Sequence, residues 1–149
     1  MPYKYDTRHH DKKMDLTFAK PEQQKEDEGL TGLVRGVEAS DLEERFARAL
    51  NKYRVPYEFQ VEFYTPFTIP SKDKVVDFVL RGNQPVDIYG FVGHHLNIGQ
   101  EGYDRIREQQ LNEVFSKARY KPLIVVEDTD VGDTQEKTNA FVRRLVVNF

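Results

Sequence analysis

The chain has 149 residues, no cysteine and a formal charge of −3, with hydrophobic residues at 38% and charged residues at 32%. That size suits one domain with a single modest core, for which ten Phe and eight Tyr supply bulk. Disulfides and thiolate metal sites are excluded, no apolar run is long enough to span a bilayer, and the acidic balance leaves any nucleic-acid contact to a local basic patch.

The opening, MPYKYDTRHHDKK, lacks a signal-peptide pattern, and a cytoplasmic setting is expected. Residues 1–36 carry Lys12-Lys13, then PEQQKEDEG, then the Gly-punctuated GLTGLVRG, with few apolar residues and no sustained period. Such a segment buries too little surface to offset its ordering entropy. It is expected to be an arm, extended or disordered unless a protein partner holds it. Leu16, Phe18, Leu30, Leu33 and Val34 are its candidate anchors. Residues 37–149 are expected to form one α/β domain.

Ser40-Asp41-Leu42-Glu43 is a capping-box pattern, and Leu42, Phe46, Ala49, Leu50 and Tyr53 follow at helical spacing until Pro56. Phe59, Val61 and Phe63 alternate with Glu58, Gln60 and Glu62, which predicts a half-buried strand. Lys74 to Leu80 predicts a second strand, ended by the turn Arg81-Gly82-Asn83, and Val86 to Phe91 a third. A Gly- and His-containing loop then precedes a helix from about Glu101 to Lys117, with Tyr103, Ile106, Gln110, Leu111, Val114 and Phe115 on its apolar side. Pro122 to Glu127 predicts a strand buried on both faces. The run Glu127-Asp128-Thr129-Asp130 reads as a solvated loop, and a capping box at Asp133–Glu136 opens a last helix through Phe141, Val142 and Leu145. The expected order is αβββαβα.

Two carboxylates stand out. Asp77 and Asp87 each interrupt an apolar strand, where an unpaired charge is expensive. On neighbouring strands the two can reach one ion; Mg2+, or Mn2+ in its place, suits such oxygen ligands and removes their repulsion. Asp87 and Tyr89 share a strand face. Glu43 leans toward the core side of its helix, while Glu44 is expected to point away. Each has a plainer reading as well. Glu43 is equally the capping-box glutamate, and Asp87, following Pro85-Val86, reads as well as a turn residue.

Glu43, VDFVL, VDIYGFVGHH, DRIREQQL and PLIVVED, in that order, resemble the PD-(D/E)XK nuclease-like superfamily. The resemblance is to small single-domain proteins related to very-short-patch-repair endonucleases, and it spans roughly residues 38–128. Asp104, Arg107 and Leu111 match a D-x-x-R-x-x-x-L helix, and Gly90 with His94 or His95 approximates a glycine–histidine stretch. The resemblance implies a restriction-endonuclease-like core, with a mixed central sheet flanked by helices. It makes Asp77 and Asp87 the metal-holding acids and Glu43 the helix carboxylate of a Mg2+-dependent phosphodiesterase acting on DNA. The family lysine falls at Tyr89, and a neutral phenol supplies no positive charge to a transition state. Lys72, Lys74 or Lys121 could substitute from elsewhere in the chain, and Gln60 on the preceding strand could orient water.

Arg45, Arg48, Lys52 and Arg107, with His94 and His95, are candidate contacts for a DNA backbone, although a solvated helix face explains the basic residues as well. No Gly-rich phosphate loop follows a strand, so a nucleotide cofactor is not expected. Two functions therefore remain from the sequence. One is a metal-dependent endonuclease. The other is an inactive nuclease-fold module acting in assembly, for example as a phage-particle subunit located in the virion, whose arm binds a neighbouring subunit.

Overall fold

The computed structural model describes residues 28–63, 75–89 and 100–148. These residues divide into two compact units, residues 55–127 and residues 28–54 with 128–148. The chain is mixed α/β, as its periodicities predict.

The first unit is a sheet with one helix. Strands β3 (Tyr57–Glu62), β4 (Val75–Leu80), β5 (Gln84–Tyr89) and β6 (Ile124–Glu127) lie side by side in that order. The first two pairings are antiparallel and the β5–β6 pairing is parallel. A parallel neighbour needs a crossover, and α2 (Gln100–Lys117) supplies it. The β4–β5 hairpin turns through Arg81 and Gly82, both at positive φ (52° and 77°), a conformation glycine adopts without penalty. Val76, Leu111 and Phe115 form a fully buried cluster, with Phe63, Tyr120 and Leu123 packed around it. The Phe63 ring meets Phe115 edge-on at 4.9 Å and Tyr120 at 5.5 Å.

Two features of this unit differ from the sequence expectation. Ile106, placed on the apolar side of α2, is 53% exposed, and the inward row runs instead through Arg107, Leu111 and Phe115. A charged residue takes the inner position because it has a buried partner, described below. In β6 only Val126 is buried, because the strand has β5 as its one neighbour among the described strands.

The second unit is built on two helices, α1 (Asp41–Lys52) and α4 (Gln135–Val147), packed against each other. The capping box at Ser40 forms as predicted: the Glu43 N–H donates to Ser40 Oγ at 3.2 Å and the Ser40 N–H to Glu43 Oε1 at 2.9 Å. Phe46, Ala49 and Leu50 of α1 and Val142 of α4 are buried. The second cap shifts by one residue. Thr134, rather than Asp133, accepts the Lys137 N–H and opens α4, while Asp133 pairs with the Lys137 ammonium. Part of the supposed solvated loop is a one-turn helix, α3 (Asp128–Val131), held because Val131 is fully buried.

Residues 28–36, assigned to the arm from composition, are fastened to α1. They form the short antiparallel pair β1 (Leu33–Val34) and β2 (Val37–Glu38) together with the residues that follow. Glu44, expected to point outward, is buried. Its carboxylate accepts the Thr31 N–H at 2.9 Å, the Thr31 hydroxyl at 2.9 Å and the Gly32 N–H at 2.8 Å. Composition misses this because the segment is held largely by polar bonds, to the Glu44 carboxylate and from Arg45 and Arg48, with Val34 its buried apolar anchor. Residues 1–27, with Leu16 and Phe18, lie outside the described residues. Among the described residues no helix is long and apolar enough to cross a membrane.

Candidate functional site: a carboxylate pair at a strand fork

Strands β4 and β5 pair at Leu80–Gln84, Val79–Pro85 and Phe78–Val86, and there the ladder stops. One further step of the same register sets Asp77 opposite Asp87. Beyond that point β4 continues beside β3 and β5 beside β6, so the two inner strands fork. Both acids are buried at the crotch, each about 2% exposed or less.

Their carboxylates replace the missing ladder. The Asp77 backbone N–H donates to Asp87 Oδ1 at 2.9 Å, and the Ile88 N–H donates to Asp77 Oδ2 at 2.8 Å. Each side chain thus accepts a main-chain amide of the opposite strand, which a buried amide requires once its strand partner has moved off.

The cation at this fork comes from the protein. Arg107 Nη1 lies 2.7 Å from Asp87 Oδ2, with the two side chains only 1% and 2% exposed. Its other terminal nitrogen donates to the Val75 carbonyl at 3.0 Å. One planar guanidinium therefore spans the fork, bonded to β4 through a carbonyl and to β5 through a carboxylate, a geometry lysine could not reproduce. Asp104 and Leu111, the other members of the matched helix motif, are buried with it.

Tyr89 is buried two residues after Asp87. Its hydroxyl accepts a long bond from Arg107 Nη1 at 3.4 Å and donates to Glu108 Oε1 at 3.4 Å. Burial first, and then the Asp87 carboxylate, hold the phenol well above the ordinary tyrosine range, so it stays neutral. Burial also raises Glu108, against a smaller opposing effect of the Tyr89 hydrogen bond. In β3, Gln60 stands in the register position opposite Asp77, and its pairing is skipped while Phe59–Phe78 and Val61–Val76 keep one register on either side. Gln60 has φ 57°, the left-handed region, at the only such non-glycine position within a described strand. Strain of this kind costs on the order of 1–2 kcal/mol and is often found at functional sites.

The structure joins Asp77, Asp87 and Tyr89 in one network and adds Arg107 to it. Glu43 belongs to the second unit, where it serves the capping box at Ser40. The basic candidates on the two helices have partners within the chain. Arg107 is buried in its ion pair, and Arg45 is buried beside Glu28 at 2.9 Å. Arg48 donates to the Glu28 and Gly29 carbonyls at 2.6 Å. These guanidiniums hold the chain's own segments. Lys52 is exposed, near the Tyr53 ring. His94 and His95, with Gly90, Lys72 and Lys74, lie outside the described residues. The sequence offered Arg107 as a DNA-backbone contact or as part of a solvated face. The signal passed over was the spacing 107–111–115, which puts the arginine in phase with two buried apolar residues, together with a buried acid that needed a cation.

As held here, the donor set does not suit Mg2+ or Mn2+. An ion on Asp87 would sit against a guanidinium already 2.7 Å from that carboxylate, and like charges at such range repel strongly in a buried setting. Among the described residues no group of three or more His, Asp or Glu is arranged to hold a metal ion. Compared with family models, curated proteins and solved structures, the chain matches none.

Proposed function

We propose that this chain is a nuclease-like module that does not cut phosphodiesters and works through assembly. The observation that carries this reading is Tyr89. A metal-dependent phosphodiesterase of this type needs a cationic side chain two residues after its second acid. Here that position holds a buried phenol whose hydroxyl is bonded to Arg107 and Glu108 and is driven away from ionisation. The site is filled with internal contacts, and these stabilise the sheet. In this reading the restriction-endonuclease-like core is retained as a scaffold, and residues 1–27 are the part left to engage a neighbouring subunit, as in a phage particle.

A second reading keeps the chemistry. It is favoured by the opposed placement of Asp77 and Asp87 at the fork, which is where two acids on adjacent strands could share Mg2+ in a DNA endonuclease. The readings separate in one experiment. Plasmid and branched DNA are incubated with the native chain and with Asp77→Ala, with Mg2+ or Mn2+ added. The expected result is no metal-dependent cutting by the folded native chain. Cutting that requires the ion and is lost in Asp77→Ala would establish the endonuclease instead. The assembly claim is read by light scattering: the number of chains per particle, the mass divided by the chain mass, should fall when residues 1–27 are deleted, and an unchanged number refutes a subunit-binding arm.

A further inference from the structure

We propose that Arg107 is a built-in counter-cation, occupying the role at the fork that a divalent ion would otherwise fill, so that the sheet assembles without metal. The inference rests on the nuclease-like reading only in expecting an ion there at all. Its own support is geometric. A buried carboxylate pair requires a compensating positive charge or a set of donors. Asp87 has both: an amide on Oδ1 and the guanidinium on Oδ2 at 2.7 Å. Asp77 Oδ2 takes the Ile88 amide. The same guanidinium reaches the Val75 carbonyl on β4, so one side chain both neutralises the acid and ties the diverging strands.

A divalent ion would take the same oxygens as ligands, the Val75 carbonyl included, but it would have to come from solution. Arginine neutralises the acid and ties the strands because its five N–H groups point outward in a fixed plane. The neighbouring groups fit this role. Tyr89 offers its hydroxyl oxygen to Nη1 at 3.4 Å, and Asp104, one turn earlier on the helix, is buried as well. The surroundings are rich in acids, with Asp87, Asp104 and Glu108 all close enough to Tyr89 to raise its hydroxyl, and Arg107 acting in the opposite direction. Removing that cation should leave a pocket of carboxylate oxygens with no positive charge from Arg107, and such a pocket attracts a hard ion.

The test exploits a difference that a merely structural arginine would not show. Thermal unfolding of the full chain is followed with and without about 10 mM Mg2+ or Mn2+, for the native protein, Arg107→Met, Arg107→Lys and the R107M/D87N double variant. Native protein and Arg107→Lys should be insensitive to the ions. Arg107→Met should melt roughly 10 °C lower or more, and the ions should raise it by about 5 °C, a gain that the double variant lacks. If Arg107→Met does not fold alone, refolding from urea with Mn2+ is read by circular dichroism, and recovery of the folded signal supports the proposal. An Arg107→Met variant that gains no more from metal than the native chain overturns it, as does a gain that survives Asp87→Asn. Cleavage of DNA by the native chain bears on the proposed function and not on this comparison, so the two ideas fail separately.

Discussion

Replacing Glu44 by alanine should cost about 3–4 kcal/mol, although the residue sits in the first turn of a helix with four charged neighbours in sequence. The figure follows from what the carboxylate holds. It accepts the Thr31 N–H on both oxygens (3.0 and 2.9 Å), the Thr31 hydroxyl at 2.9 Å and the Gly32 N–H at 2.8 Å, and it meets Arg48 at 3.3 Å. Hydrogen bonds to a charged acceptor contribute on the order of 1.5–3 kcal/mol each. Thr31 is exposed enough to recruit water in the variant, whereas Gly32 is buried, so the sum is less than the bonds taken singly. Glu44→Gln should cost about half as much, since its amide oxygen still accepts while its NH2 faces other donors. Urea unfolding followed by circular dichroism gives the difference in stability, and amide exchange at Thr31 and Gly32 locates it. Were Glu44 the outward residue its helix phase suggests, Glu44→Ala would fall within about 0.5 kcal/mol of the native chain. That result, with amide protection at Thr31 and Gly32 intact, would refute the docking of residues 28–36.

Further outcomes follow from single contacts. Phe115→Ala should destabilise by about 3–5 kcal/mol in urea titration, since the ring is fully buried among Val76, Leu111 and Phe63; a loss under about 1 kcal/mol would contradict that packing. Glu108→Gln should alter the pH profile. The folded state raises the Glu108 carboxyl, so the unfolded chain releases that proton first, and native stability declines as pH climbs from the ordinary glutamate value to the raised one. The variant should lack that decline in urea midpoints measured across about pH 4–8, and parallel curves would refute the assignment. Gly132→Ala should cost about 2 kcal/mol or more by thermal melting, because φ is +90° and an added Cβ would stand 2.7 Å from Lys137 Cβ. A neutral result would mean the α3–α4 turn relaxes freely.

Most of the regular structure was legible in the sequence, because period and capping act locally. Ser40 with Glu43 fixed the start of α1, and alternation from Phe59 placed β3 within two residues of its observed start. The forked acids were legible as well, since Asp77 and Asp87 each break an apolar run. What could not be read is what only tertiary contact decides. That Glu44 is buried as well as Glu43 depends on a segment more than ten residues upstream, whose polar bonds leave no periodic trace. Ile106 and Arg107 exchange their expected environments for the same reason: helix phase allowed either, and the buried partner on β5 selected the arginine.

The fork also separates what an acid in an apolar strand requires from how the fold supplies it. An acid inside an apolar strand states a physical requirement, that positive charge or donors must reach it, and does not state where they come from. From the sequence, a divalent ion was the economical answer, since it serves two acids at once. The folded chain meets the requirement with a guanidinium from α2 and two backbone amides, contacts lying twenty, ten and eleven residues away along the chain. The two solutions differ in their chemical consequences. A metal ion has exchangeable ligand positions, where a water or a phosphate oxygen can enter. A guanidinium bonded to Asp87, Val75 and Tyr89 spends those donors on the protein and offers no exchangeable ligand position. The same kind of acid can therefore be met by an ion or by a guanidinium, and in the folded chain Asp87 is met by Arg107.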